Sequence, residues 1–194
     1  MEDIRSLKNA LRAQARAERA AIPEETRALL GKKISRRVCS LICFRQTDLL
    51  LLFASHAGEP DLRDAAEEAL RRGKRVAYPR VTAPGQMVFC LASPDSLVPG
   101  SFGIPEPPAD APQVTPEMLS SSTVMLLPAF LFDPDGYRVG YGGGYYDRFL
   151  SSFPGITVGV TAGRFLRPSL PRGRFDRPVS ILVTEKEVKT IHAP

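Results

Sequence analysis

Residues 49–54 read LLLLFA, six consecutive apolar positions opened by Asp48 and closed by the short loop SHAGEP. A strand with one wet face alternates polar and apolar residues. One that is apolar at every position has to be covered on both faces, as in a parallel sheet packed between helices. Residues 123–129, TVMLLPA, repeat the pattern, and residues 156–161 and 179–184 add two more strand-like runs. These runs are far shorter than a membrane span.

The segments between them carry helical periodicity. Within residues 3–20, Ile4, Leu7, Leu11 and Ala15 share one face, flanked by a basic stripe of Arg5, Lys8, Arg12, Arg16 and Arg19. Pro23 with Glu24 and Glu25 suits the first turn of a second helix, expected to run to about Phe44. Residues 62–72, LRDAAEEALRR, form a third helix that Asp61 can cap and Gly73 can end. A strand over residues 74–78 follows, stopping before Pro79. Strand, helix and strand in that order make a βαβ unit. Residues 81–118 are rich in proline, so irregular structure with short strands such as residues 87–92 is expected there, and GIPEP at 103–107 excludes a helix. The expectation is one α/β domain over residues 1–194, with helices on a largely parallel sheet.

Composition sets bounds on function. A chain of 194 residues, 43% hydrophobic and 24% charged, can bury one sizeable core. Three cysteines, Cys39, Cys43 and Cys90, form no CxxC pair, and neither histidine, His56 nor His192, stands beside one. A disulfide framework and a structural zinc site are thereby disfavoured. Cys39 and Cys43 read as the buried face of a helix. The charged amphipathic N-terminus is unlike a signal peptide, so a soluble, cytoplasmic protein without a membrane partner is expected. A net charge of +5 attracts anions without naming them. Nucleic acid is disfavoured, because aromatic residues are few, at 8%, and are not interleaved with the basic stripe.

Gly136, Gly140, Gly142, Gly143 and Gly144 are concentrated directly after one apolar run and before a helical segment at 145–153. Glycine admits positive φ and lets a ligand approach backbone N–H groups without meeting a Cβ, an arrangement suited to phosphate oxygens. Neither GxxxxGK[ST] nor GxGxxG is present, and a glycine-rich loop without a ligand is the alternative. Arg138 and Arg148 bracket the glycines and can bond phosphate or carboxylate in fork geometry. Asp147 can hold Mg²⁺, or simply satisfy N–H groups in a first helical turn. Tyr145 and Tyr146 point about 100° apart on a helix, so both cannot face one core. Asp133 to Gly136, DPDG, is turn chemistry.

The segment FDPDGYRVGYGGGYYDRFL at 132–150 resembles the signature of the 5-formyltetrahydrofolate cyclo-ligase family. KNALR at 8–12, FASHAGEPD at 53–61, YPRV at 78–81, GIPEP at 103–107 and FDRPVSILVTE at 175–185 follow the family's order. The resemblance implies a three-layer α/β domain similar to the NagB/RpiA/CoA-transferase-like fold, and an ATP- and Mg²⁺-dependent ligase that closes 5-formyltetrahydrofolate to 5,10-methenyltetrahydrofolate. It implies ATP contacts at Lys8, Asn9, Ala10, Leu11 and Arg12, and at Arg138, Val139, Gly140, Tyr141, Gly142, Gly143, Gly144, Tyr145 and Tyr146. Folate contacts are implied at Ala54, Glu59 and residues 141–145, with Mg²⁺ at Asp147 and Asp176. Lys8, Arg138 and Asp147 are the implied catalytic residues, and a monomer acting on folate with or without a polyglutamate tail is expected. Two departures stand out: Phe175 precedes Asp176 where the family often has histidine, and Tyr141 stands where a basic residue is frequent.

Overall fold

The structure is a computed structural model that describes residues 3–56 and 58–191; His192 lies outside the described residues. Helices α1 (Ile4–Ala20), α2 (Glu24–Ser40) and α3 (Ile42–Gln46) lead into strand β1 (Leu49–Leu51), then α4 (Arg63–Arg71) and the hairpin β2 (Arg75–Ala83) with β3 (Gln86–Leu91). A small hairpin, β4 (Val98–Pro99) and β5 (Pro105–Glu106), precedes β6 (Val124–Leu127) and the ribbon β7 (Leu131–Phe132) with β8 (Arg138–Val139). Helix α5 (Tyr145–Leu150) and strands β9 (Ile156–Val160), β10 (Ile181–Val183) and β11 (Val188–Thr190) complete the chain.

Seven strands form one sheet in the order β11-β10-β9-β6-β1-β2-β3. The five inner strands are parallel, and β11 and β3 add antiparallel edges. The four apolar runs of the sequence are the neighbours β10, β9, β6 and β1, doubly covered as their composition demands. Leu50 and Leu52 face Ile34 and Val38 of α2 and Ala65, Ala66 and Ala69 of α4. Leu49 and Leu51 face the opposite layer, with Phe89, Phe132 and Leu150 of α5. Each such leucine contributes roughly 1.5–3 kcal/mol by burial. No helix among the described residues is long and apolar enough to cross a membrane.

Strand β1 ends at Leu51 and helix α5 at Leu150, each three residues short of expectation, and two further boundaries shift more. The second helix breaks at Leu41, whose ψ of 141° is extended, so Cys39 and Cys43 lie on separate helices, α2 and α3. Both pack half-buried against the α2–α4 core, where burial pushes their thiols up. Strand β2 does not stop before Pro79 but runs through it, pairing Pro79 with Phe89. The reason lies in the neighbours: β1 accompanies β2 only as far as Ala77, and the outward side of Phe89 bonds Val114. Pro79 therefore directs its missing N–H toward a side where no ladder partner remains.

The chain leaves β1 toward β2 on one side, while β6 lies on the other. Such a switch point opens a crevice beyond the carboxyl ends of the two strands. Into it project the loop 54–60 after β1 and the segment 128–146 after β6.

That second segment is held by Asp133, which is fully buried. One carboxylate oxygen accepts from the N–H groups of Asp135 (3.0 Å) and Tyr137 (2.9 Å), and the other from Leu170 N–H (3.3 Å) and Arg172 (3.2 Å). The turn chemistry expected of DPDG is present, and its aspartate also ties the β7–β8 ribbon to residues 170–172. Asp133→Ala leaves those donors without acceptors in a buried place and is expected to lower stability by about 3 kcal/mol, read from urea unfolding.

Candidate functional site

The crevice is a cavity of about 740 Å³. The face of α1 contributes Lys8, Arg12 and Arg16, spaced four apart so that they stack on one side of the helix. The loop after β1 contributes Ala54, His56 and Glu59, and the segment after β6 contributes Arg138, Gly140 to Gly144, Tyr145, Tyr146 and Asp147. The hairpins β2–β3 and β4–β5 supply the apolar Pro79, Val81, Met87, Phe102 and Ile104, with Glu106 among them.

At one end, cations and carboxylates face each other. The Lys8 ammonium donates to Asp176, whose same oxygen accepts from Gly173 N–H at 2.6 Å. Arg138, itself buried, donates to Asp147 at 2.5 Å and to the carbonyl of Arg177 at 2.9 Å. Arg12 donates through Nε to Gly140 O at 2.7 Å and through Nη1 to Asn9 at 2.6 Å. Burial lowers the Arg12 pKa, and the charge of Asp176 opposes that shift. Among the described residues no cage of three His, Cys, Asp or Glu side chains forms. Two carboxylates on one cavity nevertheless fit Mg²⁺, which binds through one or two carboxylates and otherwise keeps waters and phosphate oxygens.

At the other end sits Glu59, buried at 7% exposure. Tyr141 donates its hydroxyl to one oxygen at 2.6 Å, His56 N–H reaches the other at 3.0 Å, and Arg19 lies 4.0 Å away. Burial pushes the Glu59 pKa up to about 7, with Tyr141, Arg19 and the His56 N–H pulling it down. This carboxyl therefore exchanges a proton near neutrality. Burial and the nearby charge of Glu59 also raise the hydroxyls of Tyr141 and Tyr146, which stay protonated donors.

The loop between these ends takes its shape from glycine and from one arginine. Gly142 and Gly144 have φ of 99° and 68°, which disfavours any side chain there. Arg148 does not line the cavity. Its guanidinium donates to Gly85 O at 2.6 Å and to Gly143 O, clamping the loop to the β2–β3 turn from outside. Tyr145 and Tyr146 both line the cavity; Tyr145 meets Phe102 edge-on at 6.4 Å, and Tyr146 packs into the core behind the loop.

Of the residues implied by resemblance, Lys8, Arg12, Ala54, Glu59, Arg138, Gly140 to Gly144, Tyr145, Tyr146, Asp147 and Asp176 share this cavity. Asn9, Ala10, Leu11 and Val139 do not line it. Helical rotation turns Asn9 and Ala10 to solvent and Leu11 to the core, and strand alternation sends Val139 inward beside Arg138. Arg19, expected on a basic edge, is buried instead at 1% exposure. It donates to the carbonyls of Ala129 and Phe130 and stands over the rings of Phe130 and Phe165. Its place in the arginine stripe gave no sign of this. Arg16 and Glu106 were likewise given no role by the sequence.

Fold and cavity together define an α/β enzyme with a cleft of paired cations and carboxylates at the switch point of its sheet. Residues 4–185 match the 5-formyltetrahydrofolate cyclo-ligase family, and the chain belongs to that family. It is 31% identical over 179 residues to the 5-formyltetrahydrofolate cyclo-ligase of Escherichia coli K12, covering 89% of this chain and 97% of that one. The Mycolicibacterium smegmatis 5-formyltetrahydrofolate cyclo-ligase is also 31% identical, over 196 residues, with coverage of 92% and 94%. The solved structure of Aquifex aeolicus 5,10-methenyltetrahydrofolate synthetase superposes with a TM-score of 0.84 at 34% identity, covering 97% of this chain and 94% of that one. The Mycoplasma pneumoniae synthetase shares the fold, with a TM-score of 0.74 at 22% identity and coverage of 92% and 98%.

The Glu59 environment yields a pH prediction. The folded state raises this pKa above the ordinary 4.5, so its contribution to stability is full below pH 4.5 and is lost as pH rises through about 7. Tyr141→Phe removes a donor that favours the ionised form, so the Glu59 midpoint moves further up. A ¹³C carboxyl titration by NMR that shows the midpoint unchanged or lowered contradicts this assignment.

Proposed function

We propose that the chain catalyses ATP- and Mg²⁺-dependent closure of 5-formyltetrahydrofolate to 5,10-methenyltetrahydrofolate, releasing ADP and phosphate. The observation that carries the reading is the meeting of Lys8, Arg138, Asp147 and Asp176 with the glycine loop and Glu59 in one cavity. A formamide carbon is a poor electrophile, and its oxygen leaves poorly. Transfer of the γ-phosphoryl group to the formyl oxygen breaks the bond to ADP and makes that oxygen part of a leaving group. The N10 lone pair then attacks the formyl carbon, the C–O bond to phosphate breaks, and the N10 proton is lost.

Positioning and charge neutralisation dominate a step of this kind. Lys8, Arg12 and Arg138 would bind phosphate oxygens, and Arg138 offers the planar fork that matches them. The N–H groups of residues 140–144, opened by glycine, would take further oxygens. Asp147 and Asp176 would hold Mg²⁺, which when bound neutralises charge on the phosphates. Glu59, ionised, accepts N–H bonds and would meet the pterin amide and amino groups beside Ala54. Tyr141 orients that carboxylate.

The test is incubation with 5-formyltetrahydrofolate, ATP and Mg²⁺, following the methenyl product by near-ultraviolet absorbance. ATP-dependent product is expected, and its absence refutes the reading. Asp147→Asn keeps the side-chain shape and removes the charge. It is expected to lower kcat by about 100-fold or more with the far-ultraviolet circular dichroism unchanged.

A further inference from the structure

Among the described residues four carboxylates line the cavity, and three of them have a cation at hand: Asp176 has Lys8, Asp147 has Arg138, and Glu59 has Arg19. Glu106 is the fourth. It is 9% exposed, so it has given up nearly all of its hydration. Among the described residues the one hydrogen bond to its carboxylate comes from Ser101 N–H, at 3.1 Å to Oε1, and no cation stands within ion-pair reach. A buried carboxylate with a free oxygen and no counter-charge is costly unless something else supplies the charge.

The local structure is arranged to keep it there. Gly100 leaves the space that the side chain occupies, since a Cβ at that position would lie 2.5 Å from Glu106 Cγ. The tight turn that presents Ser101 N–H carries Phe102 at a φ of 58°, a conformation a bulky side chain adopts only at a cost. Phe102 reaches across to Tyr145, so the β4–β5 hairpin bearing Glu106 faces the glycine loop over the cavity.

We infer that Glu106 is a catalytic residue whose carboxylate offsets the positive charge that develops on the substrate as the ring closes. The inference rests on the proposed cyclo-ligase reaction. The formyl group of the substrate is a neutral amide; the methenyl bridge of the product is an amidinium, with one positive charge shared by N5, carbon and N10. Positive charge appears on N5 and the formyl carbon once the formyl oxygen carries the phosphoryl group, and again, now shared with N10, as the C–O bond breaks. A fixed carboxylate in a place removed from water, with no cation of its own, favours that state over the neutral one. The other three carboxylates are committed to their protein cations or, on the proposed reading, to the metal and the pterin.

Glu106→Gln tests this, because the amide oxygen still accepts from Ser101 N–H while the charge is gone. The expected result is a kcat lowered about 10- to 100-fold, with the KM for ATP within about twofold of the parent chain. Calorimetric titration without ATP, at mildly acidic pH where the methenyl cation persists, reads the same charge apart from turnover. Affinity for the methenyl compound is expected to fall about tenfold, and that for 5-formyltetrahydrofolate by less than about threefold. Glu106→Asp, which keeps the charge, should retain the preference for the cation. An unchanged preference in the glutamine variant, or equal weakening of both ligands, overturns the inference and leaves Glu106 a support of the hairpin. Absence of turnover in the parent chain refutes instead the proposed reaction.

Discussion

The site depends on how one buried arginine fastens α1. Arg19 lies near the end of that helix, donates to the carbonyls of Ala129 and Phe130 just beyond β6, and stacks between the rings of Phe130 and Phe165. A guanidinium removed from water is costly unless its donors and charge find partners. Here two carbonyls and the Tyr141 hydroxyl at 3.5 Å take the terminal nitrogens, two ring faces and Glu59 at 4.0 Å answer the charge, and among the described residues only Nε is left without a partner. The earlier turns of the helix so fixed place Arg16, Arg12 and Lys8 along the cavity in order. Lys8 thereby meets Asp176, 168 residues away in sequence. The same arginine steadies Glu59 and Tyr141, so one contact sets both ends of the cleft.

What the sequence revealed of this depended on the range of the interaction. Continuous apolar runs are a local signal with one physical solution, and β1, β6, β9 and β10 appear where they were expected, next to one another. The glycine cluster likewise marks its own backbone, because glycine is the residue that admits the positive φ adopted at 142 and 144. Pro79 misled because its fitness for a strand is decided by the length of β1, not by its own neighbours in the chain. Leu41 breaks the helix with no glycine or proline beside it in the sequence to announce the stop.

Charged residues were the hardest to read, for the same reason. Arg19 belongs by spacing to the stripe of Lys8, Arg12 and Arg16, yet it points into the core, since Glu59 and the carbonyls of 129 and 130 come from other parts of the chain. Arg148 looked equivalent to Arg138 on the far side of the glycines. It clamps the loop from outside because Gly85 of a separate hairpin offers a carbonyl there. A lone aspartate before a strand, Asp176, acquired meaning only from the family resemblance, and the structure supplies its partners, Lys8 and the N–H of Gly173.

The pairing of charges also bears on which ligands the cleft accepts. Lys8 with Asp176 and Arg138 with Asp147 neutralise one another, so the cavity end is not simply a basic patch despite the chain's net charge of +5. An anion that displaced either carboxylate from its cation would leave that carboxylate half-buried and unpaired, a cost that grows with desolvation. A divalent cation alone would meet the ammonium and guanidinium already holding its ligands. On the proposed reading, a ligand bringing phosphates and a divalent cation together would satisfy both sets at once, the cations turning to phosphate oxygens and the carboxylates to the metal. On that reading the cleft would thus favour a composite of opposite charges, a property of the pairs that neither the two cations nor the two aspartates possess alone.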